Sequence, residues 1–144
     1  MKSPERMIRI LRICFVVYVF LLIYLVIKLP ARPQAPPNPA FGLIVTILAL
    51  IDVVLGFFAQ DLLRWTVKRS PQSAPKPNPA KQWMSANIVS LALFVSCGLF
   101  GLVLHFVGAH VRFVEILFGV SLASLILWRP GTPPTENEGN SMQI

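Results

Sequence analysis

The chain has 144 residues and a formal net charge of +7; it is 55% hydrophobic and only 13% charged. A soluble domain carries roughly a quarter charged residues, and a chain this short has no core able to hide several long apolar runs, so a bilayer is the expected solvent. The basic residues gather at the ends of those runs and form no stripe with interleaved aromatics, which argues against nucleic-acid binding.

The first apolar run, 8–29, opens on Arg9 and Arg12 and closes on Lys28. Long basic side chains there can snorkel to the headgroups. A signal peptide begins in the same way, but Ile13 to Ile27 is at the upper limit for one, and the following Leu-Pro-Ala-Arg-Pro is a poor cleavage site. A retained transmembrane helix is expected. The connection 30–40 is proline-rich and reads as a solvated linker.

The second run, 41–63, carries Asp52 midway, between Leu-Ala-Leu-Ile and Val-Val-Leu-Gly. An ionised Asp at the centre of a membrane helix costs about 2.5–3.5 kcal/mol, so Asp52 should face other helices or hold a proton. It is either an ion or proton carrier or a carboxyl that hydrogen-bonds a neighbouring helix. Tyr18, Ser96 and Cys97 are the candidates to meet it. A second proline-rich connection, 70–80, shares the tetrapeptide Pro-Asn-Pro-Ala with the first, which reads as linker composition.

The third run, 86–109, places Cys97, Gly101, His105 and Ala109 four residues apart, and the fourth, 111–128, does the same with Glu115, Gly119 and Ala123. Small residues let membrane helices approach closely. The two stripes predict that the third and fourth helices are the tightest pair, with His105 and Glu115 at their seam. The short turn between them brings that imidazole and carboxylate to similar depth, as a hairpin clamp, a proton entry site, a quinol-head contact or half of a metal site. A metal site needs three or more ligands and only His110 is near enough to add one, so no metal is expected. Cys14 and Cys97 lie in apolar runs outside any CxxC and read as small hydrophobes. No catalytic constellation is apparent, and two histidines, both near one face, do not make a haem stack, so no cofactor is expected. The polar segment 130–144 is expected to be a disordered cytoplasmic tail.

Ten Lys and Arg fall in the N-terminus, the second connection and the tail, against three on the other side. The positive-inside rule therefore puts both termini in the cytoplasm, and Trp65, Trp83 and Trp128 would form an aromatic belt at that interface. The expected fold is an all-α integral membrane protein: one domain, 1–129, of four antiparallel transmembrane helices with N-in/C-in topology.

The stretch Leu93-Phe-Val-Ser-Cys-Gly-Leu-Phe-Gly-Leu-Val-Leu104 resembles the outer helix of the proteolipid c subunits of rotary ATPases. That family carries its proton-binding Glu six residues before the glycine of Phe-Gly-Leu-Val; here the position is Val95, so the resemblance implies no ion carrier at that place. The chain more broadly resembles small uncharacterised bacterial four-helix membrane proteins, with the same third-helix phrase, a proline-rich first connection and an Arg-Pro exit, here Arg129-Pro130. The resemblance implies a bacterial inner membrane and supplies no activity. With little chemistry in the chain, a non-catalytic accessory or assembly subunit of a larger membrane complex is the first expectation. A small, oligomeric proton- or ion-coupled transporter or channel using Asp52 is the second, and a lipid- or quinone-active enzyme using His105 and Glu115 the third.

Overall fold

The computed structural model describes residues 3–30, 38–69 and 78–133. In chain order the helices are α1 (Pro4–Lys28), α2 (Pro39–Arg69), α3 (Pro79–Val107) and α4 (Val111–Leu127). The first three are long and apolar enough to cross a membrane. At 17 residues, α4 is about 25 Å long.

Local chemistry sets the helix starts. Asn38 and Asn78 each accept a hydrogen bond from the backbone N–H two residues on, at 3.1 and 3.0 Å. The prolines that follow open α2 and α3, at the one place where a missing N–H costs no helical bond. The shared tetrapeptide, expected as linker composition, is thus a helix-start signal over Asn38–Ala40 and Asn78–Ala80. It lets α3 begin at Pro79 rather than near Ala86, and α2 runs on to Arg69 instead of stopping at Leu63. The apolar runs mark only the portion suited to hydrocarbon. The helices overhang it, and Lys68 and Arg69 in the last turn of α2 suit the helix dipole. At the other end of α3, Gly108 takes φ 80°, a left-handed conformation that lets the chain turn directly into α4.

The helices run alternately up and down. Arg12, early in α1, reaches the carbonyls of Leu125 and Ile126 at the end of α4. Gln60 in α2 meets Asn87 in α3, and Trp83 meets Gly131 beyond α4, all at that same end. Arg6, Arg9, Arg64, Lys68, Arg69, Lys81 and Arg129 also gather there. The opposite end joins His105 of α3 to Leu29 beyond α1.

α3 is the central element; its most extensive contact is with the long α2, and the short α4 lies along its other side. The reason is a stripe on α2 with three- and four-residue spacing, Thr46, Ala49, Val53, Gly56 and Gln60, while Gly42 one turn earlier lies against Phe113 of α4. The stripe is smooth enough to lie close against α3. A Cβ at Gly56 would stand 2.7 Å from Phe94 Cε1. Phe94 is wholly buried and is flanked by Phe57 at 5.0 Å and Trp128 at 6.1 Å between ring centroids. α1 and α2 sit on opposite sides of the α3–α4 pair and barely meet.

Two further expectations are corrected. Trp83 and Trp128 are buried inside the bundle, leaving Trp65 exposed with Arg69 stacked 3.7 Å from its ring centre. The expected tail is not free from its start, because the Gly131 carbonyl accepts from Trp83 Nε1 at 3.0 Å. Residues 134–144 lie outside the described residues, as do most of the two proline-rich connections.

Candidate functional site

Asp52 stands midway along α2, on the flank of the face that packs on α3, and is half-buried. Its partner is Ser96 of α3, one of the three groups expected to meet it, whose hydroxyl lies 3.1 Å from Oδ2. Tyr18 is exposed on α1, and Cys97 turns toward α4, with Sγ 3.5 Å from the Leu117 carbonyl. Ser96 Oγ is also 2.8 Å from the carbonyl of Leu93. A hydroxyl has one proton to donate and a carbonyl can only accept. The Ser96 hydroxyl therefore shares its single hydrogen between Asp52 Oδ2 and the Leu93 carbonyl and has none left for another acceptor.

The second oxygen, Oδ1, has no hydrogen-bond partner among the described residues. Nor is it enclosed, because no buried side-chain oxygen or nitrogen among those residues lacks a partner. Leu48, Ile51 and Leu55, within about one turn of Asp52 along α2, and Leu99 and Val103, within two turns of Ser96 along α3, are all exposed. Ser96 shares this outward face of α3 with Val89 and Ala92, away from the side that contacts α4.

The expected His105–Glu115 pair does not form. His105 Nε2 lies 2.8 Å from the Leu29 carbonyl and so ties α3 to the end of α1. Glu115 is exposed on α4, without a hydrogen-bond or ion-pair partner among the described residues. The rest of its stripe faces outward too: Ala123 is exposed and a Cβ at Gly119 would meet nothing within 4 Å. The packed face of α4 is instead Val114, Leu117, Phe118, Ser121 and Leu125. The α3 half of the expected seam does meet it. Cys97 and Gly101 are buried, and a Cβ on Gly101 would lie 3.3 Å from Phe118 and 3.4 Å from Leu117. Beside them Ser121 donates to the Phe94 carbonyl at 2.7 Å, in space left by Gly98.

A polar node at the basic end is not apparent from the sequence. Asn87 is wholly buried; its Oδ1 accepts from Gln60 at 2.8 Å and its Nδ2 donates to the Trp83 carbonyl at 2.8 Å. The available signal is an amide near the start of one apolar run and another near the end of its neighbour, which antiparallel helices bring level. Arg12 is the other such case: it caps helix α4 rather than only snorkelling. Among the described residues no group of three His, Cys, Asp or Glu side chains is placed to hold a metal ion. Comparison with family models, curated proteins and solved structures finds no match to this chain.

Proposed function

We propose that the chain is a non-catalytic accessory or assembly subunit of a larger complex in a bacterial inner membrane, crossing it four times with both termini in the cytoplasm. The supporting observation is how the polar side chains are used. Asn87, Gln60, Ser121, Arg12 and His105 each bridge one helix to another or to its exit, so the polar groups serve to hold the bundle together. The basic end would face the cytoplasm by the positive-inside rule. α4 is short for about 30 Å of hydrocarbon, and Arg12 supplies the donors that its terminal carbonyls would otherwise lack there.

A second reading, a proton or ion transporter, draws on the half-buried Asp52 and its open oxygen. Gentle solubilisation followed by native mass spectrometry separates the two. An accessory subunit travels with other membrane proteins at a mass well above its own 16.0 kDa. A homo-oligomer that moves protons into liposomes, and loses that flux on Asp52→Asn, would replace the first reading with the second.

A further inference from the structure

The unengaged oxygen of Asp52 extends the accessory-subunit reading to a particular surface of the bundle, and the choice of a foreign partner for that surface rests on that reading. Asp52 lies eleven residues after Phe41 and eleven before Leu63, the bounds of the apolar run in α2. In a spanning helix that is the least hydrated depth. A carboxyl oxygen there has no water to bond and must find a donor in protein. Within this chain the Ser96 hydroxyl is already engaged by Oδ2 and by the Leu93 carbonyl, so it has nothing to give Oδ1. Exposed apolar residues neighbour Asp52 along α2 and Ser96 along α3, so the carboxyl is a polar spot on an otherwise greasy flank.

We infer that this α2–α3 flank is a docking site for a transmembrane helix of another protein that carries a Lys or Arg midway along its span. Charge complementarity selects that occupant. A single carboxyl in hydrocarbon is best met by one cation, and intramembrane ionisable groups pair with one another. A second copy of this chain does not fit the role. Its described Lys and Arg all lie within the first or last three turns of a helix or just beyond one, and none comes level with Asp52.

The test uses the full chain in phosphatidylcholine vesicles, labelled with a donor fluorophore and mixed with acceptor-labelled polyleucine transmembrane peptides. One peptide has Lys at its centre and the other has Leu. Wild type should bind the Lys peptide about tenfold more tightly than the Leu peptide, the scale of one intramembrane polar contact. Asp52→Asn should bring that ratio to about one, whereas Glu115→Gln, which alters an outward carboxyl on α4, should leave it unchanged. Circular dichroism and Leu-peptide binding verify that both variants remain folded. Equal binding of the two peptides by wild type, or a preference that survives Asp52→Asn, would overturn the inference. So would self-association of the labelled protein that disappears in Asp52→Asn, since the occupant would then be a second copy. A large native complex with no Lys preference retires this docking site and leaves the accessory-subunit reading standing. A Lys preference in a protein that always isolates alone does the reverse.

Discussion

At the scale of single residues, glycines show how closely these helices are fitted. Gly56 and Gly119 are both helical glycines in apolar surroundings, yet they stand in opposite situations. A methyl group on Gly56 would collide with Phe94, whose buried ring packs between Phe57 and Trp128. Gly56→Ala should therefore destabilise the bundle by about 1–3 kcal/mol, the usual cost of overpacking. Gly119→Ala adds its methyl group to open space and should change stability by no more than about 0.5 kcal/mol. Reversible unfolding in mild detergent measures both. The pair Gly56→Ala with Phe94→Leu supplies the mechanism: shrinking the ring should restore part of what the methyl group costs, as a coupling between contacting residues. Strictly additive losses would show that the clash is not the cause.

At the scale of helices, the contacts explain which parts of the architecture were legible in the sequence. Four helices could be read because hydrocarbon demands apolar side chains on every side, and such runs stand out without any periodicity. The same all-round apolarity conceals which face packs. On α4 the stripe Glu115, Gly119 and Ala123 has the right spacing and faces outward, while Leu117, Ser121 and Ser124 face the core. Small residues serve either face, so spacing alone does not choose. The α2 stripe was missed for a related reason: Thr46 and Val53 alternate with Ala49 and Gly56, although both are compact enough for close approach. Hydropathy likewise cut off the polar overhangs that contain Lys81, Arg64 and Trp83. The capping of α4 by Arg12 was illegible because it joins positions more than a hundred residues apart. That contact makes a direct prediction. Arg12→Ala removes a charged donor from the α4 carbonyls and should cost about 1.5–3 kcal/mol in the same unfolding assay. Arg9→Ala, in the same basic turns but exposed, should cost no more than about 0.5 kcal/mol. Equal effects would reduce Arg12 to one more interfacial cation.

At the scale of the whole molecule, the deciding feature of the bundle is whether α4 spans the bilayer or rests within it, because α4 is the helix too short to be assigned a crossing by length. The packing argues for a crossing. α4 lies alongside α3 from the turn at Gly108 to the other end of the bundle, where Trp128 packs on Phe94 and Arg12 meets its last carbonyls. Arg112 and Arg129 bracket the helix at its two ends, and both are exposed. In a chain freed of Cys14 and Cys97 by substitution with Ser and Ala, single cysteines at these two positions report the geometry directly. A membrane-impermeant maleimide added to intact spheroplasts should label Arg112→Cys and spare Arg129→Cys until the membrane is opened. Arg69→Cys and Lys81→Cys, at the basic end of α2 and α3, should behave like Arg129→Cys, because the contacts between helices place all three together. Labelling of both Arg112→Cys and Arg129→Cys from one side would mean that α4 does not cross. The bundle would then have three spans, and its first and last helices would begin and end on different sides of the membrane. That outcome is hard to reconcile with Arg12 of α1 bonded to the end of α4, so the labelling experiment tests the hydrogen-bonded end of the bundle as strictly as it tests the topology.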